Sequence, residues 1–223
     1  MTDVEGNELH NFTFYKLDAA ATKNSGEQKD AMKTEFMNVL EGTGVEHAAY
    51  TLLGLRAETD FMIHFRSSDA ELLQNEVAKL RKTAIAAYLT TPYVYLCTKR
   101  KSEYKAEGES EVHLASGEGK FLFVYPFVKT REWYLLSSGE RRRIMAEHIM
   151  VGRKYPGVRI NTAYSFGIGD QDFLLSFDSD DLFSFQTLVM DLRNTEASRY
   201  TVRDTPMFVC LKKTMSETLD QML

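Results

Sequence analysis

The segment Thr51 to Thr83, TLLGLRAETDFMIHFRSSDAELLQNEVAKLRKT, recurs in outline as Tyr164 to Thr195, YSFGIGDQDFLLSFDSDDLFSFQTLVMDLRNT. A duplication of this length restricts the chain to folds in which one supersecondary unit is built twice. Asp60-Phe61 aligns with Asp172-Phe173, and Phe65 with Phe177. Both copies run through a helix-like stretch to a Thr-Pro and a last strand, Thr91 to Cys97 and Thr205 to Cys210. The two cysteines of the chain therefore occupy equivalent strand ends, which reads as small buried hydrophobes rather than reactive thiols or a disulfide. With 223 residues, two halves of roughly 100 residues can each bury a core.

Each half reads strand, helix, strand, strand, helix, strand. Phe12 to Leu17 is the first strand, and Glu27 to Leu40 is a helix with Met32, Phe36, Val39 and Leu40 on one face. His47 to Leu53 and Asp60 to Arg66 are strands joined by a turn at Gly54, and Ser68-Asp-Ala-Glu71 is expected to cap the second helix as a capping box. In the second half Phe121 to Val128 is a strand, Ser137-Ser-Gly-Glu140 a second capping box, and Tyr155-Pro-Gly157 the stop of the helix it opens. The expected fold class is α+β, two tandem ferredoxin-like βαββαβ repeats. The expected boundaries are 1–98 for the first repeat, 99–119 for a polar linker or lid without period, and 120–223 for the second repeat.

A net charge of -5 gives no surplus of Lys and Arg for a phosphate backbone, so nucleic acid is not the expected partner. The longest apolar run, Phe121 to Val128, is far below a membrane span and is broken by Pro126. The start, MTDVEGNELHNF, lacks the basic and apolar regions of a signal peptide, and two cysteines without a CxxC pair suit a reducing cytoplasm.

The helix after Ser137 carries the most chemistry. Ile144, His148, Val151 and Tyr155 share one face, which turns His148 inward. Such a histidine is usually a satisfied core residue, yet an imidazole nitrogen facing an apolar pocket is also what a haem iron requires. Its second nitrogen would need an acceptor, and Glu196 is the carboxylate expected to serve. Tyr125 and Lys129 sit at alternate strand positions with Phe127 and share a side; alone they read as a half-buried aromatic and a snorkelling edge residue, and Trp133 as core. Arg141 to Arg143 read as a solvated run. His10, His47, His64 and His113 have no ligand spacing, and no GxGxxG, P-loop or GxSxG occurs.

The strings YPFVKTREWY, ERRRIMAEHIMVGRKYPGVRINTAYSFG, DLRNTEASRYT and DTPMF resemble the catalytic half of the chlorite dismutase-like superfamily, which includes chlorite dismutases and coproheme decarboxylases. The resemblance spans essentially the whole chain and implies two ferredoxin-like repeats per subunit, a homo-oligomeric ring (usually a pentamer) and a haem b or coproheme iron in the second repeat. It makes His148 the iron ligand, Glu196 and Lys129 groups of the proximal and propionate side, and Trp133 the ring packed on the porphyrin. It makes Arg193 and Ser198 propionate holders, a role that suits a guanidinium fork. Tyr125 stands where coproheme decarboxylases have tyrosine and chlorite dismutases an aliphatic residue. The distal arginine of chlorite dismutases is replaced: counting forward from His148 gives Asn161, and counting back from Tyr164-Ser-Phe-Gly167 gives Ile160.

The resemblance thus implies a peroxide-dependent coproheme decarboxylase that converts coproheme to haem b, with Tyr125 relaying oxidising equivalents and Lys129, Arg193 and Ser198 holding carboxylates. Chlorite dismutation or weak haem peroxidase activity is the alternative enzyme reading. A non-catalytic haem carrier or sensor is the alternative of another class, and a ring that binds no tetrapyrrole, with a merely structural His148, is a further one.

Overall fold

The structure is a computed structural model and describes residues 8–100 and 118–223; most of the expected linker 99–119, with His113, lies outside them. The chain divides into two compact units, Met1–Thr98 with Cys210–Leu223, and Lys99–Val209.

The first unit contains β1 (Leu9–Leu17), α1 (Gly26–Glu41), β2 (Glu46–Thr51), β3 (Phe61–Ser67), α2 (Ala70–Leu80) and β4 (Leu89–Thr98). Antiparallel pairing of β1 with β3 and β4, and of β2 with β3, builds the expected βαββαβ sheet. Ser25 and Gln28 form a reciprocal capping box that fixes the start of α1. The second helix is capped by Asp69, whose carboxylate accepts from the amides of Glu71 and Leu72, and not by Ser68; the acid reaches two orphan amides at once. Met32, Phe36 and Leu40 of α1 close over Phe61, Ile63 and Phe65 of β3. Burial of each such side chain contributes roughly 2 kcal/mol.

The second unit repeats the pattern with β5 (Phe121–Lys129), α3 (Arg131–Leu135), α4 (Ser138–Gly152), β6 (Val158–Tyr164), β7 (Phe173–Ser179), α5 (Leu182–Arg193) and β8 (Thr201–Arg203). β7 lies between β5 and β6, antiparallel to both. The capping box Ser137–Glu140 is present. The helix it opens ends at Gly152, three residues before Tyr155, because the turn leading to Pro156 begins earlier than the apolar spacing suggested. β9 (Phe208–Lys212) runs from the second unit into the first, where it pairs with β2 through Tyr50–Lys212 and Thr51–Leu211. It is followed by α6 (Met215–Met222). Met215, Leu219 and Met222 enter the first core, so the tail grouped by sequence with the second repeat packs with the first unit instead.

Three hydrogen bonds to backbone groups recur in both repeats, each with donor and acceptor 112 positions later. The Asp60 carboxylate accepts from Leu17 N at 2.9 Å and that of Asp172 from Lys129 N at 2.8 Å. The Thr83 and Thr195 hydroxyls each donate to a leucine carbonyl at 2.7 Å, and the Glu35 and Glu147 carboxylates accept from the amides of Ala84 (2.7 Å) and Glu196 (3.1 Å). Both cysteines are buried and reduced, with burial raising the thiol pKa of each. Among the described residues no helix is long and apolar enough to cross a membrane.

Candidate functional site

Strand alternation in β5 sends Phe123, Tyr125 and Phe127 to the face covered by α5, where Phe123 stacks on Phe185 and Tyr125 on Phe177. Tyr125 is 5% exposed. Burial, with the nearby Asp204 charge in support, pushes its phenol above the ordinary range, partly opposed by Arg193. The ring therefore stays protonated at neutral pH. Arg193 closes α5 with Nη2 donating to Asp204 at 2.7 Å, so that ion pair stands beside the phenol.

Lys129 ends the same strand. Its Nζ lies 4.5 Å from the Trp133 ring centroid and donates to Ala197 O at 3.0 Å. Burial lowers its pKa to about 8. Asp172 fixes this corner by accepting from Lys129 N and, at 2.7 Å, from the Tyr134 hydroxyl. Trp133 packs with Ile144 and Ala197 and tilts against Tyr200, so its expected place beside the pocket residues is also a core position.

His148 projects from α4 at a half-buried position. Burial first, then the positive charge of Lys129, hold its pKa down to about 4, which leaves a neutral imidazole at pH 7. Nδ1 lies 3.3 Å from Thr195 Oγ1. That hydroxyl has one hydrogen and gives it to Leu192 O. Toward His148 it can only accept, so Nδ1 carries the ring proton and the Nε2 lone pair is left for an electrophile. The residue types fit an iron tetrapyrrole: a neutral imidazole with a lone pair, the aromatic rings of Tyr125 and Trp133, and the cations Lys129 and Arg193 for carboxylates.

Three expectations change. Glu196 does not meet His148: its two oxygens take a bidentate pair of bonds from Arg143 Nη1 and Nη2 at 2.9 and 3.0 Å, and Thr195 is the acceptor instead. The arginine run is accordingly not wholly solvated. Ser198 Oγ bonds to the carbonyls of Arg193 and Thr195, both at 2.8 Å, so its single hydrogen is held inside the turn. Asn161 pairs with Ser176, whereas Ile160 pairs with Phe177. Alternation thus puts Asn161 on the face opposite Tyr125 and gives the position on Tyr125's face to Ile160.

The sequence suggested no place at the site for Thr195, Asp204, Asp172 or Arg143. Thr195 and Asp172 were findable, since the duplication aligns them with Thr83 and Asp60. In the first unit His10 Nδ1 and His64 Nε2 form a buried contact of 3.0 Å that spacing did not show. Among the described residues no group of three or more metal-ligating side chains occurs.

A family profile described as Chlorite dismutase matches residues 27–213. The chain belongs to the chlorite dismutase family. A coproheme decarboxylase from Mycolicibacterium smegmatis is 34% identical over 208 residues, 91% of this chain and 90% of that protein. A mutant chlorite dismutase from Candidatus Nitrospira defluvii superposes with a TM-score of 0.90 at 23% identity, covering 98% of this chain and 97% of the other. The same enzyme in complex with imidazole gives 0.89 at 21%, covering 98% and 96%. These structural likenesses carry the fold of two ferredoxin-like repeats.

Proposed function

We propose that the second unit binds an iron coproporphyrin through His148 Nε2 and, with peroxide as oxidant, converts two of its propionates to vinyl groups. For each propionate, one hydrogen peroxide and one proton are consumed as a carbon–hydrogen and a carbon–carbon bond break, and one carbon dioxide and two waters leave. When bound, the iron coproporphyrin would be the substrate and would also supply the centre that takes oxidising equivalents from peroxide. The observation that carries the reading is the contact of His148 Nδ1 with a Thr195 hydroxyl already donating to Leu192 O, which leaves Nε2 its lone pair, in the same unit as a buried tyrosine. The 34% identity to a coproheme decarboxylase supports it.

The remaining roles follow from the geometry. Tyr125 is a protonated phenol at neutral pH, and it can lose an electron and a proton together, which phenylalanine cannot. Asp204 is the carboxylate whose charge it feels. Lys129 supplies an ammonium from a mostly buried position, where a carboxylate partner strengthens its hold on the proton. Arg193 gives Asp204 one Nη2 hydrogen bond and retains donors for a propionate. The Trp133 ring lies against the Lys129 ammonium, 4.5 Å from centroid to Nζ. Ser198 and Asn161 take no part in this assignment, for the reasons of hydrogen bonding and facing given above. Ile160 offers no charge to a chlorite anion, and Arg159 lies on the other face beside Glu118 at 3.5 Å, so decarboxylation is favoured over chlorite chemistry. We further propose a homo-oligomer, a ring of five being the form the family resemblance implies, in a reducing compartment.

The test is mass analysis of coproheme incubated with peroxide and protein. The native chain is expected to remove two carboxyl groups, and Tyr125→Phe to bind coproheme and remove none. Native protein that binds coproheme and leaves all four propionates intact would mark a carrier. Tyr125→Phe turning over at the native rate would remove the assignment of the phenol.

A further inference from the structure

The acceptor expected for His148 was Glu196, and that carboxylate lies one residue from the acceptor His148 does use. Its backbone amide is held by Glu147, the residue adjacent to His148, so carboxylate and imidazole spring from neighbouring anchored points. What differs is the side-chain direction, which follows the two parallel bonds from Arg143. We propose that Arg143 is a positioning residue that withholds the Glu196 carboxylate from His148 Nδ1, leaving the imidazole bonded to the weaker acceptor Thr195.

The duplication supports this independently. In the first unit the counterparts of Arg143, His148 and Glu196 are Ala31, Phe36 and Ala84. The surrounding frame is unchanged there, with Glu35 accepting from the Ala84 amide and Thr83 closing the turn. Where the histidine is absent, both members of the ion pair are absent too, and Ala31 and Ala84 line an open groove of about 550 Å³. The Arg143–Glu196 pair is therefore dispensable for building the repeat. Arg143 is 64% exposed and Glu196 33%, a setting in which an ion pair adds little stability. Its geometry still decides where a full negative charge sits. An imidazole whose N–H donates to a carboxylate is a stronger donor at its other nitrogen than one bonded to a hydroxyl. In an iron site, the stronger donor stabilises the ferric state and stiffens the iron–nitrogen bond.

This inference rests on the iron-binding reading of His148 for its consequence, but not for its direct test. In the full-length protein without tetrapyrrole, proton NMR of the His148 Nδ1–H should show a downfield shift in Arg143→Ala, as the carboxylate replaces Thr195. The shift should revert in Arg143→Ala with Glu196→Gln, and Arg143→Gln should behave like Arg143→Ala. An unmoved resonance in both single variants, or a shift that persists without the carboxylate, overturns the proposal. In the ferrous coproheme complex, Arg143→Ala should raise the iron–imidazole stretching frequency seen by resonance Raman and lower the midpoint potential, and the double variant should restore both. A native complex that lacks the iron–imidazole band, beside the expected NMR shift, would overturn the function proposed for His148 while supporting the role of Arg143.

Discussion

Phe36 in the first repeat and His148 in the second stand at the same turn of equivalent helices, 112 positions apart. Phe36 is 1% exposed and sits in a continuous apolar core with Leu17, Ala21 and Ile85. The counterparts of those neighbours around His148 are Lys129, Trp133 and Ala197. Tyr125 likewise replaces Thr13. The backbone devices are identical in both: the serine capping box, the threonine that closes the turn after the last helix, and the aspartate that ties down the strand end. The frame is therefore set by short polar residues that satisfy backbone groups. The repeats differ instead at a few positions whose side chains fill the space between helices and sheet. One repeat is packed for stability, and the other accepts a buried ammonium and an unprotonated imidazole at a cost in stability.

Truncation should separate the two positions most strongly. Phe36→Ala should cost about 3–5 kcal/mol, because it opens a cavity in the first core. His148→Ala should cost only about 1 kcal/mol, the loss of a modest hydrogen bond at a half-buried position. Chemical denaturation of both variants checks this, and equal losses would mean that the second repeat is packed like the first.

The two positions should also differ in their response to pH. The His148 imidazole titrates near 6.5 when unfolded and near 4 when folded. Between those values the unfolded chain binds the extra proton, so stability falls as pH drops from about 6.5 to about 4 and is fully present above 6.5. His148→Phe, which copies the first repeat, should flatten this fall by about 1–2 kcal/mol after allowance for solvent screening. Denaturation midpoints compared at pH 7 and pH 4.5 measure it against the native chain, whose His64, also depressed by burial, contributes to both.

The smallest effect should have the opposite sign. Lys129 titrates near 10.5 unfolded and near 8 folded, so its stability cost grows as pH falls from 10.5 to 8 and is complete at pH 7. Lys129→Leu, which copies Leu17, should raise stability at pH 7 by about 1 kcal/mol while weakening coproheme binding. Thermal melts at pH 7 and pH 10.5 read the difference, which should shrink at the higher pH.

Most of the fold was legible in the sequence, for the same reason that the frame is conserved between repeats. Alternating β5 and β7, the Ser137–Glu140 box and the Asp60/Asp172 match all announce themselves through local spacing. The site was legible in its residue types but less so in its pairings. Glu196 and Thr195 are adjacent, and no spacing rule decides which of them meets an imidazole 47 or 48 positions away. That choice depends on Arg143, a long side chain reaching across from α4. Asn161 against Ile160 was a matter of a single residue of register, which flips every side chain to the other face. The tail Cys210–Leu223 was assigned by sequence order, whereas the Thr214–Glu217 capping box and the apolar stripe Met215, Leu219, Met222 attach it to the first core.

Under the proposed function the second repeat, and not the first, presents one neutral imidazole to iron. An absorption titration of the native chain, His148→Phe and Phe36→His with ferric coproheme addresses it directly. A saturable Soret shift in the native protein, abolished in His148→Phe and not doubled in Phe36→His, is the predicted result. A shift of the same size and midpoint in His148→Phe would mean that this imidazole does not hold the iron.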